Sequence, residues 1–139
     1  MFPVDTLVAT DGRLHTVSRA YFAASSQLRV TVYDRESEYY GVYGGFGDEV
    51  GQFKWPTSIV ADNNGRIYIS DEQLNRINIF ENDGTPVGYW GVEGSGRGEL
   101  LGPSGIAFDA DDNLFVSDQL NNRIQKFSKN GLVIDDFLI

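Results

Sequence analysis

The sequence repeats itself with a period of 47 residues, and no other feature constrains the fold as strongly. Residues 51–85 align with residues 98–132 at an offset of 47 without a gap. Eleven of the 35 aligned residues are identical, whereas chance would give about two. Internal repeats of roughly 40–50 residues are typical of β-propellers and of helical arrays. The period therefore narrows the fold to these two architectures.

The local pattern within one repeat decides between them. Short runs rich in β-branched and aromatic residues alternate with turns rich in Asn, Asp and Gly. A helical periodicity is absent from every stretch long enough to form a helix. In the second repeat the runs predict four strands, over residues 59–61, 66–70, 76–80 and 87–90. Four antiparallel strands per repeat are typical of one blade of a β-propeller.

The residues before the second repeat form a weaker first copy. Without a gap, residues 29–33 fall on residues 76–80, and residues 21–23 fall on residues 68–70. In this register Ala24 replaces the aspartate that the two later repeats share at this position. The first copy is therefore expected to be degenerate.

A rival register for the first copy matches Pro3 to Pro56 and residues 12–14 to residues 65–67, and it needs an insertion of six residues. We prefer the gapless register because it needs no insertion. We expect a single domain over residues 1–139, with repeats over about 4–50, 51–97 and 98–139.

The second and third repeats share a string of residues that resembles a known family. The second repeat carries Gly51-Gln52-Phe53, Pro56, Ile59, Asp62, Gly65–Asp71, Asn75-Arg76-Ile77, Phe80 and Gly84. The third carries Gly98, Pro103, Ile106, Asp109, Leu114–Asp118, Asn122-Arg123-Ile124 and Phe127. This string resembles the NHL repeat, strongly over residues 51–132 and weakly over residues 9–50. The resemblance implies an all-β fold, a β-propeller of four-stranded antiparallel blades that usually has six blades.

Three blades cannot close such a ring. They leave two blade faces uncovered, which we expect to be apolar, and large exposed apolar faces predict association. The simplest prediction is a homodimer in which two chains close one six-bladed ring. The rival interpretation is a fragment of a longer six-bladed protein, and the two interpretations are compatible.

Composition removes several classes of partner. Eleven Lys and Arg residues against twenty Asp and Glu residues give a formal net charge of −9, and the basic residues are scattered singly. Phosphate backbones are bound by clustered cations, so we expect neither nucleic acid nor an anionic membrane surface as a partner. The absence of cysteine excludes disulfides and thiolate zinc sites. The first residues do not read as a secretion signal and no apolar run is long enough to span a membrane, which leaves the compartment undetermined.

The most regular polar constellation is an aspartate followed by an arginine five residues later. Asp71 with Arg76, and Asp118 with Arg123, lie at the end of a predicted second strand and the start of the third. A carboxylate and a guanidinium can meet across such a turn. Because the pair recurs in both clear repeats, we interpret it as a structural clamp rather than a ligand site.

Three other features resemble chemical sites, but each has a structural explanation that we prefer. Residues 109–113 resemble the opening of a calcium loop, yet an EF-hand would need Gly and Glu where the sequence has Leu114 and Leu120. Residues 91–98 are glycine-rich but lack the Gly-Lys-Ser/Thr ending of a phosphate loop, and we interpret them as a crossover between blades. His15, the single histidine, falls on Asp62 in the gapless register and is expected in a turn or at the surface. We therefore expect no cofactor, with weak calcium binding as the one exception considered.

The function that fits best is a non-catalytic scaffold that binds a protein, a peptide or a small ligand. In a four-stranded blade the turns between the second and third strands share one face with the crossovers. We expect this face to carry the binding residues Phe46, Glu49, Trp55, Gln73, Arg97 and Gln119. The alternative is a metal-dependent hydrolase or lactonase, or a lyase-like propeller enzyme, with its site in the central channel. Related lyase propellers use several inward-facing histidines, whereas this chain has one, and neither family's site maps onto these residues.

Overall fold

The computed structural model describes residues 2–20 and 28–139, which contain twelve β-strands in three four-stranded antiparallel sheets. The first blade consists of β1 (Phe2–Val8), β2 (Leu14–Arg19), β3 (Val30–Tyr33) and β4 (Tyr39–Tyr43). The second consists of β5 (Pro56–Ala61), β6 (Ile67–Asp71), β7 (Arg76–Phe80) and β8 (Pro86–Trp90). The third consists of β9 (Pro103–Phe108), β10 (Asn113–Asp118), β11 (Arg123–Ser128) and β12 (Val133–Leu138), with a 3₁₀ turn over Gln119–Asn121. No helix in this described part is long and apolar enough to span a membrane.

Each blade is a simple meander, in which strands adjacent in sequence are also hydrogen-bonded neighbours. The blades pack face to face, with the inner strands β1, β5 and β9 side by side. One buried core lies between the first two blades and includes Val17, Phe53 and Phe80. The other lies between the second and third blades and includes Leu100 and Phe127. The predicted all-β blade architecture is therefore confirmed.

The preferred register of the first repeat is wrong, and the rival register is right. Pro3 opposes the last-but-one residue of β2, as Pro56 opposes the last residue of β6. Gly12 and Gly65 turn the two first hairpins with φ of +83° and +84°, a conformation that favours glycine. Up to Arg19 the first repeat aligns with the second at an offset of 53 residues, whereas β3 and β4 align with β7 and β8 at an offset of 47. The six extra residues therefore lie between β2 and β3.

That connection includes residues 21–27, which lie outside the described residues, as do the predicted matches of residues 21–23 and Ala24. In the observed register the residue of the first blade that corresponds to Asp71 and Asp118 is Ser18. It is 4% exposed. The first repeat therefore replaces a buried carboxylate with a hydroxyl.

The glycine-rich segments 44–55 and 91–102 are crossovers that run from the outer strand of one blade to the inner strand of the next. Each folds back on itself, because Phe46 pairs with Phe53 and Glu93 pairs with Leu100 in isolated parallel bridges. Phe53 and Leu100 are fully buried in the two cores between blades. The interpretation of residues 91–98 as a crossover is confirmed.

The two uncovered faces differ from each other. On the third blade, Phe115 and Phe137 stack at 6.3 Å on the side turned away from the second blade. On the first blade, Thr6 and Thr16 share a hydrogen bond at positions where the middle blade has Ile59 and Ile69. The expectation of two apolar faces therefore holds for the third blade and only in part for the first.

Candidate functional site

The clamp of the third blade forms as expected. Asp118 is fully buried, and its Oδ2 accepts a hydrogen bond from Arg123 Nε at 2.7 Å. The carboxylate also accepts the backbone N–H of Leu101 at 2.7 Å and the amide group of Asn121 at 2.8 Å. A buried ion pair is stable only when its remaining lone pairs and protons are used in this way.

The corresponding pair of the second blade does not form. Asp71 and Arg76 are opposite each other in the sheet, but no ion pair joins them. Four backbone N–H groups occupy the Asp71 carboxylate instead, those of residues 54, 55, 73 and 74. The Arg76 guanidinium turns to Asn78 and lies 3.9 Å from the centre of the Tyr89 ring. The prediction of a charge pair at this position is wrong, because backbone donors satisfy the carboxylate first.

Both arginines nevertheless hold the crossover in front of their own blade. Arg76 donates to the carbonyl oxygens of Glu49 and Gln52, at 2.9 and 3.2 Å. Arg123 donates to the carbonyl oxygens of Gly96 and Glu99, at 2.7 and 2.9 Å. These two residues occupy the positions of Glu49 and Gln52 in the next repeat. Each arginine thus ties two carbonyl groups of the crossover to the start of the third strand of its blade. This repeated contact is structural and explains why the motif recurs.

The face that carries the crossovers and the turns after β2, β6 and β10 is called the loop face here. Gln73 and Gln119 lie in these turns. Arg97 is tied to the outer strand, because it pairs with Asp136 at 2.8 Å. Phe46 and Glu49 belong to the first crossover, where Phe46 is 45% exposed. The six predicted binding residues are therefore spread along this face and do not converge on one site.

One of them, Trp55, lines a cavity of about 280 Å³ at the junction of the first and second blades. The guanidinium of Arg19 lies 4.6 Å from the centre of the indole, and Arg19 Nε donates to the carbonyl of Pro56 at 2.7 Å. The rest of the lining is apolar and consists of Phe2, Pro3, Val4 and Ala20. The sequence interpretation missed Arg19, which the rival register would have placed in a loop-face turn.

The loop face varies between blades, whereas the arginine contacts to the crossovers recur in the second and third blades. Arg19, the last residue of β2, corresponds to Glu72 and Gln119 in the later blades, which directly follow β6 and β10. Trp55 corresponds to Gly102 of the third blade. Among the described residues, a cation therefore meets an indole only at the junction of the first two blades.

His15 is buried in β2, which contradicts its predicted place in a turn or at the surface. Its ring is 1% exposed, and Nδ1 lies 3.0 Å from the hydroxyl of Tyr43. Burial lowers the pKa of His15, against the opposing effect of Asp11 and together with that of Arg13. The histidine is therefore a neutral core residue, and the error follows from the wrong register.

In the acidic turn at residues 109–113, the Asp109 carboxylate accepts hydrogen bonds from the backbone of the turn itself. Asp109 Oδ1 accepts the backbone N–H groups of residues 111 and 113, both at 2.9 Å. Asp62 makes the same two contacts in the second blade, to residues 64 and 66. These hydrogen bonds lower the pKa of Asp109. Across residues 2–20 and 28–139, no cluster of three or more His, Asp or Glu side chains is arranged to hold a metal ion.

Comparison with known proteins supports the repeat and the fold. The family model of the NHL repeat matches residues 100–127. No curated protein matches the chain. The resemblance seen in the sequence is therefore confirmed over most of the third blade.

The similar solved structures are propellers of low sequence identity. A catalytically inactive variant of virginiamycin B lyase from Staphylococcus aureus, in complex with quinupristin, has a TM-score of 0.71 and 19% identity over 99% of this chain. A periplasmic gluconolactonase from Pseudomonas aeruginosa has a TM-score of 0.70 and 14% identity over 99% of this chain. The chain covers 41% and 42% of these two structures. It is therefore a partial propeller at the level of fold.

Proposed function

We propose that this partial NHL-type β-propeller is a non-catalytic scaffold that binds a peptide or a small ligand on its loop face. The proposal rests on the cavity of about 280 Å³ in which Arg19 and Trp55 meet. Its aromatic and aliphatic walls suit an apolar group, and a guanidinium suits a carboxylate beside it. The ligand class is therefore a peptide or small acid that carries a carboxylate next to an apolar side chain.

The internal repeat supports this assignment. Residues that hold the crossovers recur from blade to blade, as Arg76 and Arg123 do, whereas the cavity residues do not. A rigid scaffold that varies only at its loop positions is the usual arrangement of a recognition surface. Arg19 and Trp55 are specific to one junction and are not needed to build the other.

The test is isothermal titration calorimetry with acetyl-Ala-Ala-Phe, which ends in a free carboxylate, and with its C-terminal amide. We expect the acid to bind and the amide to bind about tenfold more weakly, because one charge-assisted hydrogen bond is lost. Arg19→Gln introduces the residue that the third blade has at this position, Gln119, and should reduce binding of the acid by a similar factor.

Arg66→Gln is the matched control, since it makes the same substitution at an exposed arginine that does not line the cavity. It should leave the affinity unchanged. Binding of the acid that Arg19→Gln does not weaken, or no binding of either peptide at millimolar concentration, would overturn the proposal. Turnover of a lactone by the wild-type chain would favour the enzymatic alternative instead.

A further inference from the structure

At the junction of the second and third blades, three polar side chains hold the start of an inner strand. Thr57 Oγ1 and Ser70 Oγ donate to carbonyl oxygens of residues 102–104, at 3.3 and 2.6 Å. Asn75 Oδ1 accepts the first N–H of this segment at 2.9 Å. The three side chains therefore form a socket that fixes where the next blade begins.

The third blade repeats this socket at its uncovered edge. Ser104, Ser117 and Asn122 occupy the same three positions, 47 residues further on. With Gln119, Arg123 and Ile139 they line a cavity of about 260 Å³. Within the part of the chain that the structure describes, no hydrogen bond uses these three side chains. We call this group the open corner.

The chain also contains a segment that matches the occupied socket. Residues 2–4 begin β1 as residues 102–104 lead into β9, with Pro3 opposite Ser18 where Pro103 is opposite an aspartate. We propose that the open corner binds residues 2–4 of a second copy of this chain. The first blade of that copy then packs against the third blade of this one.

Apolar contacts across this junction are complementary. Between the second and third blades, Tyr68 packs edge-on against Phe108 with the ring centres 4.8 Å apart. The corresponding residues at the new junction are Phe115 on the third blade and Val8 on the first. Val8 is 68% exposed and projects from β1 on the uncovered side. The two residues therefore meet when the open corner is filled.

The charges are complementary as well. Lys129, in the turn between the last two strands of the third blade, lies 3.5 Å from Asp62 of the second. The equivalent turn of the first blade places Arg35 at this position. Its partner at the new junction is Asp109, which corresponds to Asp62. An Arg–Asp contact therefore takes the place of the Lys–Asp contact.

Two such junctions close a ring. If the third blade of each chain receives the first blade of the other, the two chains form six blades around a two-fold axis. This assembly places a channel on the axis and covers both uncovered faces. Residues 2–4 also line the Arg19 cavity, so the two proposals share this segment. The dimer nevertheless does not depend on the proposed ligand, because its contacts run between the first blade of one copy and the third blade of the other.

The test begins with the mass of the purified chain by light scattering after size exclusion. We expect twice the chain mass of 15.4 kDa. Ser104→Arg fills the open corner and should raise the dimer dissociation constant by about tenfold or more, a typical effect for a central interface position. Ser95→Arg is the matched control, because Ser95 is exposed in a crossover and outside the corner.

A mixing experiment identifies the junction itself. Val8→Asp should also dissociate the dimer, since it places a charge opposite Phe115. A mixture of the Ser104→Arg and Val8→Asp chains can form one dimer in which one junction carries both substitutions and the other carries none. The mixture should therefore regain the dimer mass that each variant alone has lost.

Three results would overturn the proposal. They are a folded wild-type monomer at 15.4 kDa, a Ser104→Arg chain that associates as the wild type does, and a mixture that stays monomeric. Circular dichroism of each variant shows that loss of association is not loss of folding. Peptide binding by a monomeric chain would leave the proposed function intact while removing the dimer.

Discussion

The first and third blades have the same strand order but use different residues at the same positions. The third blade fixes its crossover with the buried pair Asp118 and Arg123, whereas the first blade has Ser18 in place of the aspartate. Both nevertheless form four-stranded meanders with the same hairpin pairing. The strand order is therefore set by turns and by the alternation of apolar residues, and the clamp adds stability to a blade that already has its topology.

The comparison also distinguishes blade faces that pack against a neighbouring blade from the uncovered face of the first blade. Faces between blades carry Ile or Val, as at Ile69 and Val116, and are fully buried. The uncovered face of the first blade has Thr16 at this position. A hydroxyl on a strand keeps the β-branched shape while tolerating partial hydration. The uncovered face of the first blade is therefore more polar at this position than the faces of the two interior junctions.

The largest effect on the unfolding free energy is expected for a substitution at the buried carboxylate that the third blade has and the first lacks. Asp118→Ser gives the third blade the residue of the first and leaves the Arg123 guanidinium buried without its carboxylate. Breaking a buried pair in this way costs about 3–5 kcal/mol. Ser18→Ala in the first blade removes only a hydroxyl and should cost less than about 1 kcal/mol. Urea unfolding of both variants measures the difference.

The dependence of the unfolding free energy on urea concentration should have the same slope in all three proteins, since the folded topology is unchanged. Equal costs for the two substitutions would show that the clamp is not what distinguishes the blades. A larger cost for Ser18→Ala would reverse the comparison.

The next largest effect is the pH dependence of the unfolding free energy that His15, the single histidine of the sequence, gives to the first blade. His15 corresponds to Tyr68 and Phe115, and burial lowers its pKa while Asp11 raises it and Arg13 lowers it. Below a pH of about 6.5 the unfolded chain binds a proton that the folded chain excludes. The free energy of unfolding should therefore fall as the pH decreases through this range.

His15→Gln keeps a polar partner for Tyr43 but removes the titration. The difference in unfolding free energy between pH 8 and pH 5.5 should be smaller in this variant than in the wild type. Carboxylates titrate in both proteins, so the difference between the two pH profiles isolates the histidine. Identical profiles would show that His15 is not buried in its neutral form.

The sequence predicts the second blade more accurately than the first. In the second repeat, the predicted strand 76–80 agrees with β7, and the predicted strand 66–70 is displaced by one residue from β6. For the first repeat the gapless register is wrong, because it avoids the insertion of six residues at the cost of the match between Gly12 and Gly65. A glycine that turns a hairpin at positive φ is a stronger marker of register than the absence of a gap.

The candidate site was less predictable than the fold, for a physical reason. The spacing of Asp71 and Arg76 placed them opposite each other, as observed. It could not show that four backbone N–H groups would compete for the carboxylate, because those donors come partly from a crossover 16–17 residues earlier in sequence. The cavity at Trp55 depends on Arg19 in another blade. Contacts between blades are set by packing, which the repeat pattern does not encode.

The smallest effect on the unfolding free energy is expected for an exposed ion pair of the second blade that the third blade lacks. Arg66 and Glu81 lie 2.8 Å apart with side chains 43% and 45% exposed, and the third blade has Asn113 and Ser128 at these positions. The double variant Arg66→Asn with Glu81→Ser should change the unfolding free energy by less than about 1 kcal/mol.

Any effect of that double variant should disappear in about 1 M salt, because exposed charges are screened over a few ångströms there. A salt-independent cost of several kcal/mol would mean that this surface pair contributes as much as the buried Asp118 clamp. The distinction between blades would then lie in their outer turns rather than in the buried carboxylate. We expect the opposite, since solvent already satisfies both charged groups when the pair is broken.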